Sequence, residues 1–113
     1  MSIAGIQTRN PERDRNTDLA RLERLTALLR LLQAEVESES AGLRRRYKEA
    51  QDAAAFALDA FENGDGEELS ATADQLGERM RRYQHRVSAL GTQKTFLQEL
   101  EEKAAQFRAG LQI

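Results

Sequence analysis

A chain of 113 residues with 32% charged side chains, 5% aromatics, one proline and seven glycines has the profile of a single helical domain. The absence of cysteine excludes a disulfide framework and thiolate metal sites, and it fits a reducing compartment. A formal net charge of −2 argues against bulk attraction to nucleic acid or to an anionic membrane surface.

No apolar run approaches the roughly 18 residues that a membrane span needs, and the stretch from Met1 to Asn10 lacks the apolar core of a signal peptide. The expected location is cytoplasmic. An arginine- and alanine-rich, lysine-poor composition points to a bacterial source. Residues 1–16 carry little periodicity and are expected to form a mobile N-terminal arm ahead of one helical-hairpin domain over 17–113. Two helix starts compete there. Asn10-Pro11-Glu12 offers a capping side chain, a proline at the first helical position and an acid at the positive helix end. Asn16-Thr17-Asp18 is a second start, and the firm beginning of the first helix is placed near Thr17, with helices over about 17–62 and 66–109.

A seven-residue row of apolar or small positions runs through Leu22, Leu29, Val36, Leu43, Ala50 and Ala57. A second runs through Leu69, Leu76, Tyr83, Leu90, Leu97, Ala104 and Leu111. Sustained heptads of this kind are the sequence form of helix-on-helix packing. Between the rows lies Asn63-Gly64-Asp65-Gly66, with Gly64 suited to end one helix and Asp65 with Glu68 suited to cap the next. The expected fold is therefore all-α: a long antiparallel two-helix hairpin, coiled-coil-like, that dimerises into a four-helix bundle.

The secondary rows support antiparallel pairing. In helix 1 the second row sits at plus three early (Leu25, Leu32) and plus four late (Tyr47, Ala54, Phe61), while helix 2 runs plus four first (Ala73, Met80, Val87) and plus three later (Leu100, Phe107). Folding at Gly64 sets like against like, and the resulting register pairs Glu23 with Arg108, Arg30 with Glu101, Glu37 with Lys94, Glu49 with Arg82 and Asp52 with Arg79. Helix 1 is weakest at Ser38-Glu39-Ser40-Ala41-Gly42, where a break would give a three-helix bundle instead. The alanine-rich stretch from Ala50 to Ala60 reads as a device for close helix approach.

Two surface features remain. Leu28, Leu31, Phe56, Leu58 and Phe96 lie beside or away from the seam and form a candidate partner or self-association surface. Arg44, Arg45, Arg46 and Lys48 meet Arg79, Arg81, Arg82, His85 and Arg86 across the hairpin as a basic belt, while acids gather near the turn. The belt suits an acidic or phosphate-rich partner, but with both tyrosines on the packing stripe it lacks the stacking platforms of a nucleic-acid binder.

No constellation for chemistry emerges. The single histidine has no companion ligand, the turn lacks the ligand spacing of a calcium loop, and the glycines form no phosphate cradle. No catalytic residue, metal or cofactor is expected. The functional expectation is a non-enzymatic protein-binding helical module, adaptor- or chaperone-like and linked to bacterial secretion or export. Its expected partners are a second copy of itself and a helical segment of another protein. The alternative is an anion- or nucleic-acid-binding regulator that uses the basic belt.

Overall fold

The computed structural model describes residues 10–64 and 67–112. They form two helices, α1 (Pro11–Glu62) and α2 (Glu67–Leu111), with no strand among the described residues.

Helix α1 begins on the earlier of its two start signals. The Asn10 carboxamide oxygen accepts hydrogen bonds from the backbone N–H groups of Glu12 (2.9 Å) and Arg13 (3.2 Å), so one side chain satisfies two donors that have no partner inside the helix. Pro11 takes the first helical position, and Glu12 and Asp14 lie in the first turn beside the positive helix end. The expected start near Thr17 is corrected accordingly, and of the expected arm over 1–16 the described part from Pro11 onward is helix. With Asn10 capping the helix, Thr17 has nothing to cap, and its hydroxyl donates to the Arg13 carbonyl (3.0 Å) within the helix. Residues 1–9 lie outside the described residues.

The helix passes through Gly42 without interruption, so the three-helix alternative is not adopted. Buried Ser40 and Leu43 flank this glycine, and their burial holds a segment whose intrinsic propensity is poor. The end of α1 follows the expected logic. Gly64 has φ of 97°, the left-handed conformation that L residues resist, and its N–H donates to the Phe61 carbonyl (3.0 Å), while Asn63 N–H is shared between Asp59 and Ala60 (both 3.2 Å). The proposed cap of α2 by Asp65 lies outside the described residues.

The chain divides into two compact units, one joining the start through Gln33 with Phe96–Ile113, the other spanning Ala34–Thr95. In the first unit Leu29, Leu97 and Ala104 are buried, with Leu22, Leu32, Leu100 and Leu111 half-buried beside them. The helices are antiparallel there. Arg30 bonds Glu101 (2.9 Å) and Arg108 bonds Glu23 (3.2 Å), seven residues on along α1 against seven back along α2. In the second unit the buried positions are Ser40, Leu43, Ala50, Ala57, Ala73 and Leu90, the last only 1% exposed. Lys94 bonds Glu37 (2.8 Å), again in the expected register. Two further expected pairs do not form. Asp52 bonds Lys48 one turn away on its own helix (2.8 Å), and Glu49 and Arg82 make no ion pair among the described residues. A local i,i+4 partner costs less side-chain ordering than a reach across the seam.

Two glycine substitutions separate propensity from conformation. A Cβ at either Gly42 or Gly64 meets nothing within 4 Å, so packing does not intervene. Gly42→Ala is expected to raise stability by about 1 kcal/mol through helix propensity. Gly64→Ala is expected to lower it by about 1 kcal/mol, because alanine resists the left-handed backbone there. Chemical denaturation of the two variants checks both signs.

Candidate functional site

The first unit has two unlike flanks. At about 100° per residue, Glu23, Arg30 and Gln33 lie on one side of Leu22 and Leu29, while Leu25, Leu28 and Leu32 lie on the other. On α2, Glu101 and Arg108 lie on one side of Leu97 and Ala104, while Phe96, Leu100 and Phe107 lie on the other. Arg30 and Gln33 both reach Glu101 (2.9 and 2.8 Å) and Arg108 reaches Glu23, so those polar sides coincide. The opposite sides must then coincide as well. One flank of the unit is therefore knitted by hydrogen-bonded charges, and the other is an apolar face built from both helices.

That face is open. Leu25, Leu28, Leu31, Phe96 and Phe107 are 44–64% exposed. Leu28, Leu31 and Phe96 were singled out by the sequence, whereas Leu25 and Phe107 belong to rows expected to pack in the seam. They miss it because Thr26 and Gln33 on α1, and Glu101 and Arg108 on α2, take half-buried places on the other side of the primary row. The signal was present in the heptad itself. A row at plus three drifts toward one flank when polar residues at plus four also approach the partner helix.

In the second unit Phe56 (75% exposed), Leu58 and Phe61 are exposed on α1. Phe61, expected in the seam, is the departure here. Ala57 and Ala73 take the buried places there, and Phe61 is 40% exposed.

Both arginine clusters fall within this second unit, and the fold brings them together. Arg46 and Arg79 line one groove with Glu49, Ala50, Ala53, Leu76 and Tyr83. A second open groove of about 420 Å³ lies between Tyr47, Tyr83 and Val87, with Arg44, Gln84 and Ser88 around it. The Gln84 amide donates to the Tyr47 hydroxyl there (3.3 Å), and both tyrosines are half-buried. Part of the belt is neutralised. Arg44 pairs with Glu37 (3.6 Å), Lys48 with Asp52 and Arg81 with Glu78, and Arg86 grips Glu39 through two hydrogen bonds (2.7 and 3.2 Å). Arg45, Arg46, Arg79, Arg82 and His85 make no ion pair among the described residues. The Glu39–Arg86 pair was not foreseen by register. An arginine long enough to span more than a helical turn finds the one acid that interrupts the apolar row.

Three carboxyl groups that bridge the helices are held below their ordinary range. Hydrogen bonds from Gln33 and then Arg30 lower Glu101, a hydrogen bond from Lys94 lowers Glu37, and a hydrogen bond from Arg86 lowers Glu39. Among the described residues no group of acids and histidine is arranged to hold a metal ion, and no helix is long and apolar enough to cross a membrane. Comparison with known proteins finds no matching family model, no similar curated protein and no similar solved structure.

The depressed carboxyl groups give stability a direction in pH. Each favours its ionised form in the folded state, so its contribution is complete above the ordinary carboxylate range and is lost as pH falls through the lower folded value. The thermal midpoint is expected to fall between about pH 5 and about pH 3. Glu101→Gln is expected to shrink that fall, which a pH series of melts on the two proteins checks.

Proposed function

We propose that this chain is a non-enzymatic protein-binding module of the adaptor or chaperone type, one that works through helix–helix contacts, self-association included. The observation that carries this reading is the apolar flank of the first unit. Large apolar side chains from two helices lie on one side there, opposite a flank held by hydrogen-bonded charges. An exposed patch of this kind, rimmed by polar residues, is the ordinary mark of a protein interface. Leu58 and Phe61, one turn apart on α1, supply a separate apolar patch in the second unit, suited to a helical segment of another protein. The amphipathic occupant would lay leucines at helical spacing against either surface. A cytoplasmic, secretion-linked role in a bacterium is the setting that matches such a module.

The test replaces Leu28 and Phe107 singly by aspartate in a tagged chain and compares what each recovers, either an untagged copy of the chain or another helical protein. Each substitution removes a burial gain of about 1.5–3 kcal/mol on binding, so recovery is expected to drop by about tenfold or more. Helix content by circular dichroism stays unchanged, because both positions lie outside the buried seam. Recovery equal to that of the native chain would overturn the reading.

A second reading is favoured by Arg45, Arg46 and Arg79, which make no ion pair among the described residues. They would suit an anion, nucleic acid included, and make the chain a regulator. Titration with a polyphosphate or an oligonucleotide at low salt decides this. The reading requires binding that weakens steeply with added salt and is lost in the Arg46→Glu, Arg79→Glu variant. Titration curves that stay flat at low salt would end it.

A further inference from the structure

We infer that the occupant of the apolar flank on the first unit is a second copy of this chain, related by a two-fold axis that crosses both helices at the level of the Arg30–Glu101 bridge. This deepens the protein-binding reading and rests on it.

The argument comes from how the flank residues are spaced along each helix. On α1 Leu28 and Leu31, two of the flank's three exposed leucines, have their midpoint between Leu29 and Arg30. On α2 the two exposed rings, Phe96 and Phe107, have their midpoint between Glu101 and Glu102. The flank also carries Glu99 and Lys103, whose midpoint is Glu101 itself. Neither of these two charges has an ionic partner among the described residues. The hydrogen bond from Arg30 to Glu101 (2.9 Å) places the α1 midpoint and the α2 midpoints at one height. Three independent pairs, two apolar and one charged, are thus arranged symmetrically about a single level.

A two-fold axis at that level, in the plane of the flank and perpendicular to the helices, reverses direction and sets each helix antiparallel on its own copy. Phe96 then lies at the height of the partner copy's second ring, and Leu28 at the height of its second leucine. Glu99 faces a lysine at each end of the interface. The charge pattern is decisive for the occupant. A foreign helix has no reason to be antisymmetric about this level, whereas a second copy supplies the opposite charge at both places by symmetry alone. Four helices packed this way make the antiparallel bundle in which each helix gains a second buried stripe.

The experiment uses the full chain and reads mass by sedimentation at about 100 μM, with helix content as a control on folding. The native chain is expected to sediment as a dimer. Glu99→Lys places two lysines opposite two lysines, and Lys103→Glu places acids opposite acids, so each variant alone is expected to dimerise about tenfold more weakly at low salt. Mixed in equal amounts, the two variants are expected to recover a heterodimer at least as tight as the native one, and the Glu99→Lys, Lys103→Glu double variant is expected to return to within about threefold of native. A native chain that sediments as a monomer overturns the inference, as does a dimer indifferent to the charge reversals. If the chain is monomeric while Leu28→Asp still abolishes recovery of another helical protein, the two-fold pairing falls and the broader reading stands. If neither mass nor recovery responds to Leu28→Asp and Phe107→Asp, both fall.

Discussion

Within each unit two helices lying side by side share a single line of contact, and the rest of that unit follows from how little the line can bury. A helix surrounded by neighbours hides several faces, but one with a single neighbour hides a stripe. In the first unit the fully covered positions are Leu29, Leu97 and Ala104. Ordering helices of this length costs conformational entropy at every residue, and the compensating burial is confined to that stripe. The large side chains that do not fit into it are the ones left for other surfaces.

The polar groups are distributed to suit this economy of contact. Bridges such as Glu23–Arg108 and Arg30–Glu101 are solvent-exposed, and pairs of that kind contribute little to stability. Their value is directional. They occupy one flank of the first unit and fix which residues of α1 lie level with which residues of α2. In the second unit Leu43 and Leu90 share the seam with alanines and Ser40, while Phe56, Phe61 and several arginines are exposed.

Much of this was legible in the sequence, because heptad spacing and capping chemistry are local. The rows through Leu29, Leu43, Ala50 and Ala57 and through Leu90, Leu97 and Ala104 became the buried seam, Gly64 ended α1, and three of the five bridges expected from the register formed. What was not legible depended on competition between alternatives of similar strength. Asn10 and Asn16 both offered a cap, and only the accompanying Pro11 and two satisfied N–H groups favoured the first. Leu25 and Phe107 kept heptad spacing yet lie outside the seam, since Gln33 and Glu101 approach the facing helix from the other side. Lys48 and Asp52 found each other locally. Spacing along one helix states which side chains share a stripe, but the angular placement of that stripe against its neighbour is decided by both helices together.

The half-buried phenol rings of Tyr47 and Tyr83 border the same groove within Ala34–Thr95, and the chain has no tryptophan. Tyrosine emission from this protein therefore originates in one unit alone. Fraying of the other would leave tyrosine emission unchanged, and a loss of amide ellipticity that precedes any change in that emission would report which half of the molecule lets go first.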